Sequence, residues 1–136
     1  MRVVADTNMV ISGLLWKGNP RRVLDAVREG TIDLFTSAVL LTEMEDVLGR
    51  DRFKERLQSA GVGSHDWVLG YAALASVIQP ASIEPVVLAE DDDAVIACAV
   101  AARGEIIVSG DRHLLGLGLY GNIRVLTAAE PITKIL

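Results

Sequence analysis

Acidic side chains are the residues of this sequence best suited to chemistry, and three groups of them stand beside apolar runs. Asp6 follows one short apolar run, Asp111 follows another, and three consecutive aspartates at 91–93 precede a longer one. Carboxylates that are brought together repel each other unless a cation offsets their charge. If the fold gathers these acids, the sequence therefore predicts a metal site.

The ion that such a site favours is a hard divalent cation, Mg²⁺ or Mn²⁺, because both take oxygen ligands. The single cysteine, Cys98, and the two isolated histidines, His65 and His113, do not have the spacing of a zinc site. A cation held by carboxylates activates water near neutral pH and offsets charge on a phosphoryl oxygen. This chemistry predicts hydrolysis of a phosphodiester.

Length and composition limit the class of protein. The chain has 136 residues, 51% of them hydrophobic, and a formal net charge of −5, which predicts one domain over residues 1–136 and excludes a disordered tail or a histone-like basic protein. The longest apolar run, 94–102, is far shorter than the roughly 20 residues that span a bilayer. With only one cysteine and no targeting segment, we expect a cytoplasmic protein and no membrane contact.

Short apolar runs alternate with helical patterns along the chain. Strands are predicted at 2–5, 32–35, 106–108 and 123–126, with a strand-like segment at 86–88 and a glycine-rich loop at 116–121. Helices are predicted at 9–16, 20–30, 38–48, 51–60, 64–76 and 92–103, with short helical pieces after 111 and at 127–130. This alternation predicts an α/β fold, a three-layer sandwich with a central, mostly parallel sheet of four or five strands.

The predicted sheet would bring distant acids to one edge. Asp6 and Asp111 each follow the carboxyl end of a strand, where open α/β sheets bind their ligands. Each also has a structural interpretation, since Asp6 can shape a turn and Asp111 can cap a helix. Within the acidic triplet, Asp93 is in line with the apolar residues Ile96 and Val100, which favours a ligand over a cap.

The helix predicted at 38–48 offers more than one acid. Glu43 and Glu45 flank its apolar stripe on opposite sides, and Asp46 points away from the stripe. The periodicity alone does not choose between the two glutamates.

The acids and their neighbours, taken in order and spacing, resemble the PIN domain family over essentially the whole chain. The matching segments are Val3-Val4-Ala5-Asp6-Thr7-Asn8, Glu43, Asp93-Ala-Val-Ile-Ala-Cys-Ala and Ile-Val-Ser-Gly-Asp111. The resemblance implies a metal-dependent ribonuclease with RNA as its substrate. The branch that it most resembles consists of toxin components, which implies an antitoxin protein as partner, and the resemblance also implies a homodimer.

The resemblance also assigns roles to residues. Four acids would be catalytic and hold one or two Mg²⁺ or Mn²⁺ ions: Asp6, Glu43, Asp93 and Asp111. The polar residues that support such acids would be Thr7, Asn8 and Ser109. The chain departs from the branch at Ala89-Glu90, where an Asp and a Pro often stand, and this departure leaves the number of metal ions open.

Basic residues near the predicted centre are candidates for contact with RNA. The run from Arg50 to Arg56 contains the cations Arg50, Arg52, Lys54 and Arg56. It is interpreted either as a solvated helix face or as a rim that contacts phosphate, and His113 is a further candidate for substrate binding. Without the four proposed acids, 14 acidic residues would face 13 basic ones, so the net charge does not exclude an RNA substrate.

Two other classes remain open. One is a PIN-like module of weak catalytic activity that dimerises and binds an antitoxin. The other is a Mg²⁺-dependent phosphotransfer domain, which needs adjacent or one-apart aspartates after the first strand, whereas Asp6-Thr7-Asn8 contains one acid.

Overall fold

The computed structural model of the protein describes residues 1–84 and 90–130, with the backbone alone for residues 90 and 91. The strand-like segment predicted at 86–88 lies outside the described residues. Within them, no helix combines the length and apolar character needed to cross a membrane.

A mostly parallel sheet forms the centre of the fold. Its strands in the described part of the chain are β1 (Arg2–Ala5), β2 (Asp33–Thr36), β3 (Ser76–Val77), β4 (Ile106–Val108), β5 (Leu119–Tyr120) and β6 (Ile123–Leu126). They lie in the order β3-β2-β1-β4-β6-β5, and only the pairing of β5 with β6 is antiparallel. Strands β1 and β4 are central and buried. Their β-branched residues are typical of parallel strands that are covered on both faces.

Helices cover both faces of the sheet. They are α1 (Thr7–Leu15), α2 (Asn19–Arg28), α3 (Ala38–Leu48), α4 (Asp51–Ala60), α5 (Ser64–Leu74), α6 (Glu90–Ala101) and α7 (Arg112–Leu117). Successive residues of β1 point to opposite faces: Val3 packs in a core with residues of α1, α2 and α5, and Val4 packs in a second core with residues of α6. The predicted three-layer α/β sandwich is confirmed.

The sheet has two short edge strands that the sequence pattern did not predict. The helix expected over 64–76 ends at Leu74, because Ala75 takes an extended conformation (φ −94°, ψ 164°) that leads into β3. Strand β5 lies within the glycine-rich segment predicted as a loop. Each has only two residues, too few for an alternating pattern, so pairing with a neighbouring strand decides their conformation.

Three helices begin at the carboxyl edge of the central strands. Helix α1 starts directly after β1, α3 after β2 and α7 after β4. Their first turns are capped by Asp6, Ser37 and Asp111, whose side-chain oxygens accept backbone N–H groups. This common edge positions the candidate site.

Candidate metal centre

Asp6 is a buried carboxylate with two hydrogen-bond partners. One oxygen accepts the backbone N–H of Met9 at 2.8 Å, which caps α1, and the other accepts the hydroxyl of Ser109 at the end of β4. Burial raises the pKa of the Asp6 carboxyl, and the charge of Asp111 adds to the rise, whereas the hydrogen bonds from Ser109 and Met9 lower it. Capping therefore fixes this side chain and leaves it at the edge of the sheet.

Asp111 and Ser109 join the end of β4 to this carboxylate. Ser109 is 1% exposed, and its Oγ accepts the backbone N–H of Asp111 at 2.9 Å while it donates to Asp6. Asp111 Oδ1 accepts the backbone N–H groups of His113 at 2.8 Å and Leu114 at 3.2 Å. The capping interpretation of Asp111 is thus correct, and Asp6, interpreted as a turn residue, is a cap as well. Neither role excludes a place in a metal site.

Asp92, on α6, is the third acid at this edge. Its side chain is only 8% exposed. Burial, followed by the charges of Asp111 and Asp6, raises the pKa of the Asp92 carboxyl to about 6, and His113 opposes part of the rise. A buried carboxyl whose pKa is raised further by two neighbouring carboxylates marks a place where a cation would relieve repulsion.

Glu43, on α3, completes a small pocket with these three acids. The residues that line the pocket are Asp6, Thr7, Asn8, Glu43, Asp92, Val95 and Asp111. The other glutamate of α3, Glu45, is exposed, and its Oε1 lies 3.1 Å from His65 Nδ1. The structure thus brings Glu43 rather than Glu45 to the site.

The third acid in the pocket differs from the residue that the sequence analysis assigned. Asp92 lines the pocket, and Asp93, which is half-buried, is not among the described residues that do so. The reason lies in α6, whose fully buried positions Val95, Ile96 and Ala99 follow Asp92 on one side of the helix. Because α6 is apolar on nearly every side, its periodicity could not rank two adjacent aspartates. The role of Asp93 as a ligand stays a prediction.

The donor atoms of the pocket fit a divalent cation. Four carboxylates converge there, and the buried Thr7 hydroxyl beside them has no hydrogen-bond partner among the described residues. A buried hydroxyl without a partner is costly, so a water or ion in the pocket would satisfy it. Ala89 and the side chains of Glu90 and Asp91 lie outside the described part, so the number of ligands stays open there.

A larger cleft of about 490 Å³ opens beside the acid pocket. The two share Asp6, Asn8 and Asp111. Arg112 also lines the cleft, directly after Asp111, and the sequence analysis did not single it out. Its place next to the fourth acid is the signal that would have identified it, because a cation there can pair with a phosphate.

The basic residues at the start of α4 lie on an exposed helix face. Arg50 pairs with Asp46, with 3.6 Å between Nη2 and Oδ2, and the guanidinium of Arg52 stands 4.7 Å from the ring centre of Phe53. Lys54 is exposed. Contact of these three cations with RNA stays a prediction.

Arg56 is different, because the chain itself uses its guanidinium. Nε and Nη2 both donate to the backbone carbonyl of Leu15 at the end of α1, with the Nε distance 3.0 Å. The group also stands 5.8 Å from the ring centre of Trp16. Asp6 caps the other end of α1, so Arg56 lies about 14 Å, one helix length, from the acid pocket.

Comparison with known proteins agrees with this geometry. A family model described as PIN domain matches residues 2–113, which include Asp6, Glu43, Asp92, Asp93 and Asp111. Among curated proteins and solved structures, none matches the chain.

Proposed function

The chain belongs to the PIN domain family, whose members are generally metal-dependent nucleases, and from this premise we propose that it is a metal-dependent endoribonuclease that hydrolyses RNA phosphodiester bonds. One observation carries the proposal. Four carboxylates from separate parts of the chain, those of Asp6, Glu43, Asp92 and Asp111, line one pocket at the carboxyl edge of the sheet.

These four acids would hold one or two ions, Mg²⁺ or Mn²⁺, by their carboxylate oxygens. The ion would supply activation of water and stabilisation of negative charge on the scissile phosphate. The chain keeps the ligands in place before any ion binds, since Asp6 and Asp111 are fixed by backbone N–H groups and by Ser109. Such preorganisation limits the reorganisation that the reaction requires.

The cleft beside the pocket would bind the RNA. Asn8 and Asp111 stand where the two cavities meet, and Arg112 supplies a positive charge beside them. An Arg fork pairs well with phosphate oxygens and can hold the backbone next to the acid pocket. The predicted contacts of Arg50, Arg52 and Lys54 would extend this surface.

The direct test measures cleavage of RNA by purified variants with added Mn²⁺. Asp6→Asn and Asp92→Asn keep the size of each side chain and remove its charge, and we expect each to lose at least about a hundredfold in rate, as misplaced reacting groups do. Asp46→Asn is the matched control, because Asp46 lies on the exposed side of α3, and it should cleave like the wild type.

The same assay decides between the two adjacent aspartates. If Asp92 is the ligand, Asp93→Asn keeps most of the activity while Asp92→Asn loses it. The reverse result would assign the role to Asp93, as the resemblance implies. Equal cleavage by the wild type, Asp6→Asn and Asp92→Asn would contradict the nuclease proposal itself.

We propose further that the protein is the toxin of a toxin–antitoxin pair and acts as a homodimer in the cytoplasm. The resemblance of its motifs to the toxin branch supports this role. Induced expression of the wild type should stop growth, and co-expression of the product of the adjacent gene should relieve the arrest. Asp6→Asn should be harmless, whereas an equally toxic Asp6→Asn would favour a binding module of weak catalytic activity.

A further inference from the structure

His113 stands beside the acid pocket, although it contributes to neither of the two cavities described above. It lies at the start of α7, two residues after Asp111. Its Nδ1 is 3.5 Å from Asp111 Oδ1. Ligand atoms of His113, Asp111 and Asp92 all lie within 4.8 Å of one another.

We infer that His113 is a ligand of the divalent cation through Nδ1 and that it makes the site prefer Mn²⁺ to Mg²⁺. This inference rests on the proposed function, because it concerns the ion of the same site. It replaces the prediction that His113 contacts substrate. It also corrects the expectation that both histidines are isolated, since the fold places His113 against Asp92, which is distant in sequence.

The separation between His113 and Asp111 fits two ligands of one ion. With metal–ligand bonds of about 2.1 Å, neighbouring ligands of an octahedral ion lie about 3 Å apart and opposite ligands about 4.2 Å apart. The 3.5 Å between His113 Nδ1 and Asp111 Oδ1 falls between these values. The side chain of His113 is 53% exposed, so its ring can turn by the small amount needed without disturbing the core.

Asp111 and His113 are already fixed by the cap at the start of α7. Asp111 Oδ1 accepts the backbone N–H of His113 at 2.8 Å, which holds the backbone of both residues together at the start of α7. Asp111 Oδ1, which lies 3.5 Å from His113 Nδ1, is thus held in position before an ion binds. A ligand pair of this kind needs little ordering when the ion arrives.

The selectivity follows from the chemistry of imidazole. Mg²⁺ takes oxygen ligands in a strict octahedron and loses water reluctantly. Imidazole nitrogen suits first-row transition metals, and affinity for such sites rises from Mn²⁺ towards Cu²⁺. A site of carboxylates alone binds both Mg²⁺ and Mn²⁺ through its negative charge. An added nitrogen ligand strengthens the binding of Mn²⁺ more than that of Mg²⁺.

The chain offers a matched control in its other histidine. His65 Nδ1 also lies near a carboxylate, 3.1 Å from Glu45 Oε1, and its side chain is 68% exposed. Among the described residues, however, it joins no group of three ligands. His65→Gln therefore repeats the chemical change of His113→Gln at a place where no ion is expected.

The experiment measures metal binding without RNA. The electron paramagnetic resonance signal of free Mn²⁺ gives the Kd of the wild type, His113→Gln and His65→Gln, and competition with Mg²⁺ gives the Kd for Mg²⁺. We expect His113→Gln to weaken Mn²⁺ binding at least about tenfold, a loss seen even for partners outside the ligand set. Its Mg²⁺ affinity should stay within about twofold, and His65→Gln should match the wild type. Pulsed measurements should detect nitrogen coupled to bound Mn²⁺ only when His113 is present.

The outcomes separate this inference from the proposed function. If the wild type binds Mn²⁺ and cleaves RNA but His113→Gln keeps both the preference and the nitrogen coupling, the inference is wrong and the nuclease proposal stands. If the wild type binds neither ion, the proposed site fails and the inference fails with it. An equal loss for Mg²⁺ and Mn²⁺ in His113→Gln would also overturn the claimed selectivity.

Discussion

The two ends of α1 carry opposite charges and use them in opposite ways. At its first turn, Asp6 caps the helix and at the same time lines the acid pocket with three other carboxylates. At its last turn, Arg56 donates to the carbonyl of Leu15, and Arg21 donates to the carbonyl of Leu14. Both ends suit the helix dipole, since anions favour the first turn and cations the last.

The two ends differ in whether the charged side chain finds an oppositely polarised partner within the chain. The guanidinium of Arg56 is directed to a carbonyl of its own chain, so its charge serves the fold. The acids around Asp6 lie in one pocket, and burial together with the charges of neighbouring carboxylates raises the pKa of Asp6 and Asp92. Charged groups that the fold places beside groups of the same sign indicate a ligand from outside the chain. Charged groups that are paired within the chain indicate a structural role.

The largest effect is expected from an added divalent cation. Mn²⁺ at 100 times its Kd should stabilise the wild type by about 2.7 kcal/mol, which raises Tm by roughly 10 °C for a chain of this size. Asp6→Asn should show little of this rise, and Arg56→Gln should show all of it. Thermal melts with Mn²⁺ and with EDTA measure the effect, and an unmoved wild-type melt would contradict the metal site.

The next effect concerns pH in the absence of metal. The folded pKa of Asp92, about 6, lies above its usual value of 3.8, so the fold prefers the protonated form. The corresponding stability is present below pH 4 and is lost as the pH rises through about 6. In EDTA, the free energy of unfolding of Asp92→Asn relative to that of the wild type should therefore increase between pH 4 and pH 7 by an amount on the order of 2 kcal/mol.

Denaturant midpoints at each pH measure this difference. Asp46→Asn serves as the control, because it removes an exposed carboxylate from α3 and should keep a constant offset from the wild type. A difference between Asp92→Asn and the wild type that does not change with pH would contradict the raised pKa of Asp92.

A smaller effect is expected at the other end of α1. Arg56→Gln removes charged hydrogen bonds to the carbonyl of Leu15 and should cost about 1.5 kcal/mol in the free energy of unfolding. Lys54→Gln, on the exposed face of the same helix, should change stability by less than about 0.5 kcal/mol. Urea unfolding of both variants measures the contrast. A loss of RNA binding in Arg56→Gln with unchanged stability would show that its charge serves the substrate instead.

Much of the fold follows from local pattern. Helices α3 and α4 begin and end at the residues that the apolar stripe and the flanking polar residues predict, Ala38–Leu48 and Asp51–Ala60. The central strands are equally clear, because short β-branched runs bounded by turns have few alternatives. Strands β3 and β5 could not be predicted, since two residues carry no periodicity and their partners lie elsewhere in the chain.

The candidate site was predictable by region but not by residue. Asp6 and Asp111 follow strands whose carboxyl ends must share an edge, so their proximity follows from the predicted topology. Only the resemblance to the family distinguishes Glu43 from Glu45 at the level of sequence. The structure agrees with this choice, because Glu43 lines the acid pocket. The sequence does not identify Asp92, because α6 is apolar on nearly every side and its pattern does not show which of two adjacent aspartates faces the site.

The sequence by itself determined the helices, the central strands and the edge of the sheet that collects negative charge, because these depend on residue order and local periodicity. Only the tertiary structure decided that Asp92 lines the pocket and that His113 lies against it. Those choices depend on how α6 and α7 rotate against the sheet. A rotation of about 100° separates one residue of a helix from the next, and the packing of buried side chains sets it.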